Sequence, residues 1–177
     1  MRPILIIPGY RNSGASHWQT LWEGNMAYAK RVQMPNWDFP RRSDWVDALD
    51  DAIAEACFTA PPILVAHSIG CMVVAHWVQE RQRPVHAALL VAPTDPESAD
   101  IPEVLKGFAP VPLFEMPFSS RVVASSNDPF VSIERAKEFA EAWRSAFTNI
   151  GAGGHINGAA GYGDWPRGEA MLKELLF

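Results

Sequence analysis

The longest coherent pattern in the chain runs from Ile63 to Trp77. There an unbroken apolar, β-favouring stretch, Ile63-Leu64-Val65-Ala66, gives way past His67 and Ser68 to apolar residues at helical spacing. An apolar run without polar alternation predicts a strand buried on both faces. The change of period predicts that it passes directly into a helix, here one ending near Arg81. The opening Ile4 to Ile7, closed by Pro8-Gly9, reads as a second buried strand, and Val85 to Val91 as a third. Shorter β-like stretches stand at Arg31 to Met34, Arg121 to Ser125 and Phe147 to Ile150. Helical spacing marks the intervals between them. One helix is expected near Ser16 to Ala27. Another follows Ser43, with Val46, Leu49, Ile53 and Ala56 inward and Asp44, Asp47, Asp50 and Asp51 largely in water, Ser43 being placed to cap it. A third follows Ser132, with Ile133, Phe139, Ala140 and Trp143 inward, and a last one begins near Pro166, packed down by Met171, Leu172, Leu175 and Leu176.

Strands alternating with helices along the whole chain predict an α/β fold, a three-layer sandwich with a mostly parallel sheet and helices on both faces. At 177 residues the chain fits one domain, 1–177, with no repeat or linker. The pattern fails only between Ala92 and Ser120. So long an irregular connection usually carries function, and residues 93–120 are expected to form a cap or lid whose side chains, Phe108 and Phe114 among them, line a substrate pocket; a covering that only protects the sheet edge is the plainer reading.

Hydrophobic residues make up 48 % and charged residues 20 %, ordinary values for a globular domain. The net charge of -5 argues against a nucleic-acid backbone or an anionic membrane as partner and favours a small molecule. The apolar start is too short, and too soon broken by Pro8-Gly9, for a signal peptide or a membrane span. Cys57 and Cys71, both in predicted helices, form no disulfide framework, so a cytoplasmic location is expected, as a monomer or small homo-oligomer.

The candidate chemistry sits at the joint of the Ile63–Trp77 stretch. Ala66-His67-Ser68-Ile69-Gly70 is a variant of the G-x-S-x-G nucleophile elbow, with alanine at the first small position. Such a turn needs small residues at both ends because strand and helix backbones nearly touch there. It presents the Ser68 hydroxyl above the carboxyl end of the sheet, with the Ile69 N–H free to face a developing oxyanion. Asp128, kept out of helical conformation by Pro129, follows a later strand. His155 lies in the glycine-rich loop Gly151 to Gly158 after the last one. An acid and a base in that order are what a serine nucleophile requires. Asp95, also after a strand, is the rival acid. His17 and His67 flank the site, where holding loops together is the plainer role for a buried histidine.

The loop Pro8-Gly9-Tyr10 offers the second oxyanion donor, from Tyr10, and lets the backbone approach a substrate at Gly9. Its spacing imitates a phosphate-binding loop, but Ala15 stands where the lysine is required. Gly9, His17, Phe108, Phe114 and Ile156 are the expected substrate contacts. No metal or cofactor is expected.

Taken together, Pro8-Gly9-Tyr10, Ser13-Gly14, His17-Trp18, His67-Ser68-Ile69-Gly70, Val123 to Pro129, Gly154-His155-Ile156-Asn157 and Gly163-Asp164-Trp165-Pro166 resemble the small α/β-hydrolase family typified by retinoblastoma-binding protein 9. The resemblance implies a reduced α/β-hydrolase core of six parallel strands in the order 2-1-3-4-5-6, with Ser68, Asp128 and His155 as nucleophile, acid and base. It does not carry the protein-binding role, because neither cysteine lies in an L-x-C-x-E segment. The expected function is a serine hydrolase, an esterase for small acyl esters; an amidase or peptidase with the same triad, or an idle binding module on the same scaffold, are the alternatives.

Overall fold

A computed structural model describes residues 2–176. In chain order the elements are β1 (Ile4–Ile7), α1 (Trp18–Asn25), β2 (Ala29–Arg31), α2 (Arg42–Cys57), β3 (Ile63–His67), α3 (Ile69–Glu80), β4 (Ala87–Val91), β5 (Ser119–Ala124), α4 (Ile133–Ala142), β6 (Ala146–Asn149) and α5 (Pro166–Glu174). All strand pairs are parallel, in the order β2-β1-β3-β4-β5-β6.

The continuous apolar runs become the middle of this sheet because both of their faces are covered: every residue of β1, β3 and β4 is buried. Alternation then divides them. Leu5, Ile7, Leu64, Ala66, Ala88, Leu90 and Val122 turn toward α2, α3 and α4, where they meet Leu49, Val73 and Phe139. Ile4, Ile6, Ile63, Val65 and Leu89 turn the other way, onto Trp18 and Trp22 of α1 and Leu172 of α5. The result is the expected three-layer sandwich. Each fully buried Leu, Ile or Val of these clusters contributes about 1.5–3 kcal/mol of burial. Cys71 belongs to the first cluster and burial pushes its thiol pKa up, so it packs as an unreactive apolar group; neither cysteine is bridged.

Element ends depart from the sequence pattern where side chains satisfy the backbone differently. α1 starts at Trp18 because the His17 side chain, not Ser16, caps it by accepting from Gln19 N–H at 3.1 Å. Ser43 does not cap α2: the cap position is Arg41, and the Ser43 hydroxyl donates to Asp44. β2 lies earlier than Arg31 to Met34, with Val32 and Met34 buried by packing beyond its end. Ser132 caps α4 as expected, accepting from Arg135 N–H at 3.1 Å.

The connection between β4 and β5 holds a short 3₁₀ helix, Glu103–Phe108, and roots itself in the core through Ile101, Leu105, Phe108, Val111 and Met116. His76 Nε2–H donates to the Phe108 carbonyl at 2.7 Å and Trp143 Nε1–H to that of Pro112 at 2.8 Å. Because the sheet is wholly parallel, the loops after β1, β3, β4, β5 and β6 leave from one edge. The order reverses between β1 and β3, and clefts open at such a switch point.

Candidate active site

Ser68 occupies the single-residue turn between β3 and α3 with φ 59° and ψ −131°, a conformation that side chains other than glycine rarely adopt. Its N–H donates to the Val91 carbonyl at 3.0 Å, which ties the turn to β4. The residues around it are small of necessity. A Cβ on Gly70 would stand 2.7 Å from the Ile7 carbonyl oxygen and 2.8 Å from that of Pro8, and one on Gly9 would stand 2.6 Å from the Ser68 Cβ. Ile69 opens α3, so its N–H is among those a helix start leaves without an intrahelical acceptor.

The loop after β6 is folded back by the turn after β5. Ser125 Oγ accepts from Gly153 N–H at 2.9 Å and Asn127 Oδ1 from Gly154 N–H at 2.7 Å, with Gly154 at φ 55°. This clamp delivers His155 over the sheet edge. Its Nε2 lies 2.9 Å from Ser68 Oγ, and its Nδ1 lies 3.0 and 2.9 Å from Asp128 Oδ1 and Oδ2. The Asp128 side chain has no solvent exposure and also accepts from Phe130 N–H at 2.9 Å. A buried carboxylate with these donors fixes the tautomer in which Nδ1 carries the proton and Nε2 is a bare acceptor toward the Ser68 hydroxyl.

Two more histidines stand behind His155. The rings of His17 and His67 are 4.8 Å apart and those of His67 and His155 4.9 Å. His67 Nε2–H donates to the His155 carbonyl at 2.9 Å. Burial holds the His67 pKa well below the ordinary histidine value, and burial, followed by Arg31 and His155, holds that of His17 at about 4. Both therefore stay neutral beside His155 and withhold positive charge that would compete with its protonation. A hydroxyl that the sequence pattern did not single out completes the centre: Thr94 Oγ1, on the loop after β4, lies 2.9 Å from Ser68 Oγ.

These groups line one cavity of about 200 Å³, walled by Gly9 and Tyr10 from the β1 loop, by Phe130 and Asn157, and by Pro102 and Leu105 from the β4–β5 connection. The sequence of the chain matches the model of the family described as serine hydrolase over residues 4–174. The chain belongs to the serine hydrolase family. A YdeN-like hydrolase from Pectobacterium atrosepticum superposes with a TM-score of 0.87 at 31 % identity, over 99 % of this chain and 90 % of that one. The ydeN gene product of B. subtilis does so at 0.78 and 23 %, over 99 % of both chains. A thermophilic esterase from Thermogutta terrifontis shares the fold at 0.73 and 14 %, over 99 % of this chain and 89 % of its own. No curated protein matches.

Within this serine hydrolase the expected substrate contacts divide. Gly9 and His17 line the cavity, as does Tyr10. Phe108, Phe114 and Ile156 do not. Phe108 is wholly buried against Trp45 in the main core, and Phe114 lines a separate surface groove with Trp77 and Arg81. Ile156 is buried against the opposite face of the sheet, where its carbonyl accepts from Trp18 Nε1–H at 2.8 Å. Asp95 is turned to Arg135, 3.3 Å away, rather than to His155. Among the described residues no cluster of three or more His, Cys, Asp or Glu side chains is arranged to hold a metal, and no helix is long and apolar enough to cross a membrane.

Proposed function

We propose that this serine hydrolase is an esterase for small acyl esters, working through an acyl enzyme on Ser68. The observation that carries the reading is the unbroken line of contacts from Ser68 Oγ through both ring nitrogens of His155 to the buried carboxylate of Asp128. In the first half-reaction Ser68 Oγ bonds to the acyl carbon while its proton passes to His155 Nε2. Asp128 accepts from Nδ1–H and stabilises the imidazolium that forms. Negative charge gathers on the carbonyl oxygen, where the Ile69 and Tyr10 N–H groups are the donors, each contributing on the order of 3 kcal/mol. The ester carbon–oxygen bond then breaks and the alcohol leaves with the proton from His155. A water repeats the sequence and frees Ser68.

The size of the cavity supports a short acyl group, and the apolar side chains of Leu105 and Pro102 on its wall support an aliphatic one. A fluorophosphonate probe tests the chemistry: it should label the wild type and not Ser68→Ala. A panel of p-nitrophenyl esters and matching anilides tests the substrate class. Absence of labelling in a folded wild type favours a binding protein with an idle serine, and anilide turnover equal to that of esters removes the esterase assignment.

A further inference from the structure

We infer that Thr94 is a catalytic residue, a hydroxyl donor to the nucleophile oxygen itself; this rests on the proposal that Ser68 is acylated. The direction of the hydrogen bonds follows from counting protons. Ser68 Oγ carries one, and His155 Nε2, whose partner nitrogen is protonated toward Asp128, has only a lone pair to offer it. The Ser68 proton therefore points to His155. In the 2.9 Å contact between the two hydroxyls Thr94 must be the donor and Ser68 the acceptor.

A donor in that position acts when charge develops there. As the proton moves from Ser68 Oγ to His155 and the oxygen–carbon bond forms, the Thr94 hydrogen bond strengthens onto an oxygen of alkoxide character. Once Ser68 is acylated, Oγ is an ester oxygen and a poor acceptor, so the bond weakens in the intermediate. In deacylation the bond between Oγ and the acyl carbon breaks, electrons return to Oγ, and Thr94 again donates until His155 restores the proton. One hydroxyl thus favours both transition states over the acyl enzyme between them. No further reactant is needed.

The placement of Thr94 is built rather than incidental. The residue is 1 % exposed, so its hydroxyl cannot exchange this partner for bulk water. The next residue anchors it: Asp95 N–H donates to the Phe130 carbonyl at 3.1 Å, and Asp95 Oδ2 accepts from Arg135 Nε–H at 3.3 Å. Phe130 also sets its ring edge against His155, centroids 4.6 Å apart, so one short segment buttresses the hydroxyl and the base together.

The test compares Thr94→Val, which keeps the shape and loses the hydroxyl, with Thr94→Ser, which restores it. The bimolecular rate of fluorophosphonate labelling and kcat on a p-nitrophenyl ester should both fall by at least tenfold, and up to about 100-fold, in Thr94→Val, with KM within about twofold. Thr94→Ser should recover most of the loss. Labelling and kcat of a folded Thr94→Val within about twofold of wild type overturn the role while leaving the Ser68 assignment standing; a wild type that the probe does not label overturns both. A loss that tracks melting temperature in both variants, with no rescue by serine, also overturns it, because a hydroxyl that only fills a buried site has no reason to govern the chemical step.

Discussion

His67 reaches from the end of β3 to the backbone of the loop after β6, its Nε2–H donating to the His155 carbonyl oxygen at 2.9 Å. A carbonyl only accepts, so Nε2 carries a proton, and burial, which holds the pKa well below the ordinary histidine value, keeps the ring neutral. The bond joins the residue before Ser68 to the backbone of His155, whose Nε2 faces Ser68 Oγ. Replacing His67 with alanine leaves a buried carbonyl unpaired, which costs about 1–3 kcal/mol. The variant should melt several degrees below wild type and turn over more slowly per folded molecule. Calorimetry and ester hydrolysis on the same sample check this; a variant matching wild type in both would show that the loop needs no such tie.

The acid should be Asp128 and not Asp95. Asp128→Asn keeps the shape but removes the fixed charge that holds the His155 tautomer, so kcat should fall by about 10⁴. Asp95→Asn weakens the Arg135 contact, keeps an oxygen for the Glu97 N–H and leaves His155 untouched, so it should retain turnover within about tenfold. Assays of both variants on one ester decide the matter, and the reverse ranking would transfer the role.

The meeting of Ser68, Asp128 and His155 was legible in the sequence and the apolar wall of the cavity was not, for a physical reason. The sharp turn at Ser68 imposes local demands, a residue without a side chain at Gly70 beside a strained Ser68, and these demands leave a local trace. Pro129 beside Asp128 and the glycines before His155 are traces of the same kind. The β4–β5 connection has none, because Phe108 gains as much by entering the core as by lining a pocket, and the composition of an irregular segment does not record which. Thr94 was missed because its one partner lies 26 positions away and a single threonine has no period. Similarly, Val32 and Met34 look like strand residues although packing beyond the end of β2 is what buries them.

Selectivity for acyl length should therefore follow Leu105 and not Phe114. Leu105 lines the cavity, and truncating it to alanine opens space where an acyl chain would lie. Leu105→Ala should shift the ratio of hexanoyl to acetyl hydrolysis upward by about 10-fold, within the range that one or two methylenes earn in an apolar pocket. Phe114→Ala, in a groove of its own, should leave the ratio unchanged. Ratios measured within each variant cancel differences in folded fraction, and an altered ratio in Phe114→Ala with none in Leu105→Ala would place the acyl chain elsewhere.

Acid should destabilise the fold through the buried histidines. His17 titrates at about 4 when folded against 6.5 for the free side chain, with burial the main cause, and His67 also lies well below that value. Between these limits the unfolded chain takes up protons that the folded one refuses, so stability falls as pH drops through 6.5 toward 4. For His17 the loss is on the order of 3 kcal/mol by pH 4. Asparagine at position 17 cannot titrate yet still offers an oxygen to cap α1. Urea unfolding of wild type and His17→Asn at pH 7 and pH 4.5 isolates the effect from that of the carboxylates. The variant should lose less stability on acidification than wild type; equal losses would mean that His17 is already charged in the folded protein.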